Sequence, residues 1–350
     1  MSASRELRAS FLSLMALLIS VHYDRGIHIA GAPFALDATR SAACGVVSHA
    51  HSDHVARHKV MVTTRATAAL IHQRYGPARG EVIALEYGEP WECEDWRVVL
   101  TPAGHVLGSA MVHVTAPDGA TLLYTGDFKL RSGLSCETAQ PVCAEVLVME
   151  STFGLPRYVF PPLEELRAQM HAFCRAALER GAVPVVMGYS IGKAQEIQML
   201  LGGEFRVAVH PSVAVMNYRY ADFGFTMPPW ENAGADLSGC VLVMPPAAGK
   251  SELLTAIPIK AVAMVSGWGL DASARYRYGV EEVFPLSDHA DFPDLLRMVE
   301  LVQPQRVLTT HGWHTEFAAT LRAKGREAWS LHGGDQLEMF GEADLGAGSF

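Results

Sequence analysis

The stretch His49-Ala50-His51-Ser52-Asp53-His54 packs three imidazoles and a carboxylate into six residues. Residues two apart on an extended segment point the same way, so His49 and His51 can grip one cation. The turn that follows aims Asp53 and His54 at a second. Imidazoles mixed with a hard carboxylate suit Zn²⁺ best, with Mn²⁺ or Fe²⁺ as alternatives. A solvated polar loop is the competing reading, but the spacing matches ligand geometry better.

Around this string, short β-rich runs bounded by Gly, Pro and Asp are expected at 45–48, 60–63, 96–100, 110–115, 121–125 and 146–149. His49, His105 and Asp127 sit just past such runs, where loops on a rigid sheet assemble sites. Gly126 allows close approach of backbone and ion beside Asp127. Residues 286–289 and 307–311 read as strands leading to His289 and His311. One strand-end histidine alone reads as a capped or solvated side chain; ordered recurrence points to a shared site. His314 reads as a bystander.

Between these halves the pattern changes. Leu163, Leu166, Met170, Phe173 and Leu178 recur near a 3.6-residue period, predicting a helix over 162–180. Strands are expected at 183–187, 206–209, 241–244 and 261–266, with a helix over 194–201, which reads as a parallel α/β unit lodged inside a sandwich. Ser190-Ile191-Gly192-Lys193 lies at that helix start, where free amides and a lysine bind phosphate, unless it is an ordinary strand-to-helix turn. Basic and aromatic residues alternate at 218–220 and at Arg275-Tyr276-Arg277-Tyr278, fitting either stacked unpaired bases or a half-buried strand. Lys129 and Arg131 either touch substrate phosphate or pair with acids. Lys250 lacks the spacing of a nucleotide-binding phosphate loop.

The chain has 350 residues, 49% of them hydrophobic, enough for one large domain or two ordinary ones. A net charge of -9 argues against a uniformly basic surface while allowing a local basic groove. Six cysteines without a C-x-x-C pair suit reduced thiols and a cytoplasmic location. The apolar run at 11–21 is too short to span a bilayer and reads as an extension or first strand rather than a secretory signal, so no membrane association is expected.

Taken in order, Asp37, the opening string, His105, Asp127, Glu150, His289 and His311 resemble the motifs of the metallo-β-lactamase fold in its β-CASP nuclease branch. FALDATRSAACGVVSHAHSDH, YTGDFKLRSG and GYSIGKAQ look like the crosslink-repair and Artemis-like nucleases. MESTFGLPRYVFPP with SGW and VFPLSDHADFPDLL is similar to the bacterial ligase-associated DNA exonucleases, which that family places with an ATP-dependent DNA ligase and a helicase. The resemblance runs from about Tyr23 to the C-terminus.

It implies an α/β fold, an αββα sandwich formed by residues 1–162 and 286–350, with an inserted β-CASP α/β domain at 163–285. It also implies two Zn²⁺ ions, with Mn²⁺ as the alternative: His49, His51 and His105 hold one, Asp53, His54 and His311 the other, and Asp127 bridges. Such a pair supplies an activated water and stabilises both oxygens of an in-line displacement at phosphorus. His289, oriented by Glu150, would protonate the leaving oxygen, and Asp37 would orient ligand histidines from behind. Turn capping by Asp37 and a surface ion pair for Glu150 are the competing readings, and the roles of Asp288 and Asp291 stay open. Ser190, Gly192, Lys193, Arg275 and Arg277 are the candidate substrate contacts.

The implied activity is metal-dependent exonucleolytic hydrolysis of DNA in repair, from the 5′ end, on single strands or free ends. An RNA-processing nuclease of the same branch, a small-molecule hydrolase and a metal-stabilised binding protein are the alternatives. A long insertion argues against the small-molecule reading, and a complete ligand set against the last.

Overall fold

The computed structural model describes residues 18–332. Residues 11–17 of the apolar run therefore lie outside the described residues, and its end enters the first strand. That sheet is β1 (Val21–Tyr23), β2 (Ile27–Ile29), β3 (Ala35–Leu36), β4 (Cys44–Val46), β5 (Val60–Thr64) and β6 (Glu81–Leu85), laid side by side in chain order. Helix α1 (Arg65–Tyr75) follows β5, its first turn capped by the Thr64 hydroxyl accepting the Thr67 N–H.

A second sheet begins with the antiparallel strands β7 (Pro90–Cys93), β8 (Trp96–Pro102), β9 (Ala110–Thr115) and β10 (Thr121–Tyr124), and β11 (Val146–Glu150) joins parallel to β10. The sheets share one core, in which Leu36, Val46 and Val62 pack with Leu100, Val112 and Val148. Every residue of β11 is buried, which its unbroken Val-Leu-Val-Met run anticipates for a strand covered on both faces.

The chain then builds a third sheet. Helix α2 (Leu163–Glu179) leads to β12 (Val183–Met187), α3 (Lys193–Leu201), β13 (Arg206–Val209), α4 (Pro211–Asp222), β14 (Trp230–Asn232) and β15 (Cys240–Met244). Next come α5 (Glu252–Thr255), β16 (Lys260–Val265), α6 (Ala274–Tyr278) and β17 (Glu282–Phe284). These strands are all parallel, in the order β14-β13-β15-β12-β16-β17. Helix α7 (Phe292–Val302), β18 (Arg306–Thr310), α8 (His314–Ala323) and β19 (Glu327–Ser330) return to the second sheet, with β18 parallel to β11. Leu295, Met298 and Phe317 of these helices cover Leu123, Leu147 and Met149.

Three local expectations fail. Residues 286–289 form a loop, because Pro285 has no N–H for a ladder and the Leu286 N–H turns back onto the Phe284 carbonyl. The alternating segments 218–220 and 275–278 are helical, in α4 and α6. Residues two apart on a helix do not share a face, so Arg275 and Arg277 do not form the one-sided strip that a strand would give. No helix among the described residues is long and apolar enough to cross a membrane.

Candidate metal centre

Seven strand ends and loops converge at one rim of the sandwich. His49 leaves β4 through Ser48, whose carbonyl accepts the Ala110 N–H and so ties the loop to the second sheet. The Ser48 hydroxyl donates to Asp37 Oδ2 at 2.5 Å, leaving its lone pairs to accept from His49 Nδ1 at 2.9 Å. His49 Nε2 is then a bare lone pair: fully buried, without a hydrogen-bond partner, and 3.5 Å from the Asp127 carboxylate. Burial, with His54 beside it, holds His49 well below its ordinary range, so it stays neutral.

Two more rings are fixed in the same way. His105 Nδ1 donates to the Asp288 carbonyl at 2.8 Å and His51 Nε2 to the Ile191 carbonyl at 3.4 Å. Their remaining nitrogens face each other at 3.0 Å as two acceptors. Burial first, then His289, pushes His105 down to about 3 despite Asp288. Donor atoms of His49, His51, His105 and Asp127 all lie within 4.8 Å of one another. Lone pairs and a carboxylate so crowded repel unless a cation sits among them, and three imidazoles with one carboxylate are a zinc-type donor set.

Asp127 Oδ2 also lies 3.4 Å from His54 Nε2, where the second group begins. Asp53 Oδ2 stands 3.7 Å from that nitrogen with its side chain 75% exposed, and the His311 ring lies 5.5 Å from the His54 ring. This second set is looser than the first. His311 takes a left-handed backbone, with φ 57°, between β18 and α8.

Asp37 is a scaffold for the centre rather than a free donor. It accepts the Ser48 N–H at 2.7 Å, the Ser48 hydroxyl, His54 Nδ1 at 2.8 Å and the Tyr124 hydroxyl at 2.9 Å. Three of these four bonds fall on Oδ2 and one on Oδ1, and His54 is pinned with Nε2 toward Asp127. Asp37→Asn keeps the size and tolerates the left-handed φ of 43°. The amide nevertheless offers fewer acceptors to these four donors. We expect metal affinity to fall about 10–100-fold while the fold persists, measured by competitive chelator titration. Unchanged affinity would remove Asp37 from this role.

Glu150 closes the other side. Its carboxylate accepts the Phe128 N–H at 2.8 Å, the Thr152 hydroxyl at 2.5 Å and His289 Nδ1 at 2.9 Å. His289 thereby points its other nitrogen toward the cleft. Burial opposes charge on this ring, but Glu150 and Asp127 outweigh it and raise His289 to about 10 from the ordinary 6.5.

A cleft of about 900 Å³ opens over the centre, lined on one side by His51, Asp53 and Asp127 and on the other by Tyr189, Ser190 and Trp268. The phosphate-binding expectation for the 190–193 turn needs correction. Lys193 is 3% exposed, paired with Asp288 at 3.0 Å and donating to the Leu286 carbonyl, so its charge is already spent. The Gly192 N–H donates to Gln195. Gly192 takes φ 84°, and a Cβ there would come within 2.4 Å of Val106 Cγ1, so close packing accounts for this glycine. Ser190 does face the cleft, bonded to Ser212 at 3.2 Å. Arg277 stands outside it, near Asp271 at 3.4 Å, and Arg275 is exposed on α6. Lys129 pairs with Glu196 at 2.9 Å and Arg131 with Asp291, which resolves both toward acids. Ser48, Tyr124 and the Asp288 carbonyl orient the centre without being legible in the sequence, although Ser48 and Asp288 each adjoin a candidate ligand.

Residues 274–330 match the family model described as "Zn-dependent metallo-hydrolase RNA specificity domain". The chain is 42% identical over 322 residues to a "Probable DNA ligase" of Opitutus terrae, covering 91% of this chain and 32% of that protein. It is 29% identical over 187 residues to an "RNase J-like protein" of Methanocaldococcus jannaschii, covering 46% and 44%. Against the "Transcription termination factor FttA" of Methanothermobacter thermautotrophicus it is 35% identical over 137 residues, covering 38% and 22%. These matches indicate a metallo-β-lactamase/β-CASP nuclease. In this β-CASP chain the two-sheet sandwich carries the histidines and Asp127, while the all-parallel third sheet supplies the opposite wall of the cleft. The β-CASP chain spans about a third of the length of its ligase-named relative.

Proposed function

We propose that this chain is a two-metal exonuclease that trims DNA from a 5′ end in the cytoplasm, working beside an ATP-dependent ligase and a helicase. The observation that carries the hydrolytic reading is the set of three imidazole lone pairs turned on the Asp127 carboxylate. His49, His51 and His105 would hold one ion, Asp53, His54 and His311 the other, with Asp127 between them. Cations bound there would supply an activated water and neutralise charge developing at phosphorus.

The protein's own groups do the rest. Asp37, Ser48 and the Asp288 carbonyl fix ring tautomers before substrate arrives, so little reorganisation accompanies the reaction. His289 keeps a proton at Nε2 that it can hand to the departing sugar oxygen, and Glu150 stabilises its charge throughout. We assign residues 1–162 and 286–350 to the catalytic sandwich and 163–285 to a substrate-covering insert, consistent with an extended polymer in the cleft.

DNA is favoured by 42% identity across nearly the whole chain to a ligase-named protein. RNA is the second reading, favoured by the "RNA specificity domain" match at 274–330 and by the RNase J-like relative. End-labelled single strands of matched DNA and RNA, each with and without a 5′-phosphate, separate them. DNA should be shortened progressively from the 5′ end, and Asp53→Ala should abolish this. Preferential cleavage of RNA would overturn the DNA assignment, since 2′-hydroxyl contacts are the discriminator.

A further inference from the structure

A second pocket of about 370 Å³ lies where the loop after His54 meets the C-terminal end of α1. Arg57, His58, Ile71, Tyr75, Arg79 and Glu81 are among its walls. Arg57 and Arg79 are exposed, as is Arg74 one turn away. In a chain of net charge -9, the described arginines that form ion pairs are others, and these three have no acidic partner among the described residues. Glu81 is the acid at the pocket, so cations outnumber it.

Two further features point to what the surface takes. Tyr75 is 47% exposed, with the Arg74 guanidinium 5.3 Å over its ring, a pairing of stacking face and cation that suits an unpaired base and its phosphate. The surface also adjoins the catalytic cleft along the chain. Gln73 and Arg74 line the cleft, Tyr75 and Arg79 line the second pocket, and residues 55–58 follow His54 directly.

We propose that this pocket and the end of α1 form an extended binding track for a single nucleic-acid strand whose scissile end lies at the metal centre. The proposal rests on the nuclease reading and adds to it a place for the uncleaved part of the chain. Phosphates run past Arg74, Arg57 and Arg79, and one base lies on Tyr75. A strand of a few nucleotides fills the cleft without reaching the track, whereas a longer one engages both.

Fluorescein-labelled oligothymidylates of about 4 and about 20 nucleotides, within and beyond one site size, test this by anisotropy in EDTA. The comparison is wild type against Arg57→Glu/Arg79→Glu, two exposed positions whose folding is checked by thermal melting. Long-strand affinity should fall at least about tenfold, and the slope of log K against log salt should drop by about 1.4, from two lost phosphate contacts at about 0.7 each. Short-strand affinity should stay within about twofold. Equal losses at both lengths, or no loss at either, overturn the track. Failure of the wild type to bind either length overturns the nuclease reading itself, and the track with it.

Discussion

Asp127→Asn should cut phosphodiester hydrolysis by about a thousandfold or more and lower the bound metal. Its Oδ2 lies 3.5, 3.4 and 3.7 Å from the Nε2 atoms of His49, His54 and His105, so it is the point the two donor groups share. Burial alone would raise this carboxyl, but His54 and His289 hold it well below the usual carboxylate range, so it presents a full negative charge. Asparagine preserves the shape and removes that charge. A metal pair contributes several kcal/mol of transition-state stabilisation, and each 1.4 kcal/mol is about tenfold in rate. Mass-spectrometric metal content and steady-state rates, taken on the same preparation, check both halves. A loss below about tenfold with full metal occupancy would show that Asp127 is not central.

His289→Gln is expected to lose about 100- to 10,000-fold on an unmodified strand while keeping its metal, the range for a positioned general acid. The ring is tied to Glu150 at 2.9 Å and lines the cleft, 4.0 Å from Asp127. A structural role and a proton-donor role are separated by leaving group. A nucleotide p-nitrophenyl ester departs without protonation, so the variant should recover most of its rate on that substrate. Equal losses on both would assign His289 to holding the site together instead.

The candidate metal centre was largely legible because its signals are local. His49 through His54, and the strand ends at His105, Asp127 and His311, announce themselves by spacing and by the β-runs before them. The substrate side was less legible because its interactions are long-range. Lys193 looked available until Asp288, from the loop after β17 and 95 residues on, proved to neutralise it; Lys129 met Glu196 in the same way. Alternation of charge and ring at 275–278 suits a strand, but the segment is one short helix turn closed by Gly279 at φ 63°. Residues 286–289 carried strand-like composition, and Pro285 withdrew the ladder. The very short strands β1 to β3 carry too few residues to show a period at all.

The claim on which everything turns is that this constellation of imidazoles and carboxylates works by holding metal. The direct measurement is cleavage of an end-labelled single strand by protein stripped with chelator and then given Zn²⁺ or Mn²⁺. The stripped protein should be inactive, activity should return with metal toward about two ions per chain, and Asp127→Asn should not recover. Cleavage that persists in the stripped protein, or that Asp127→Asn leaves intact, would contradict the account.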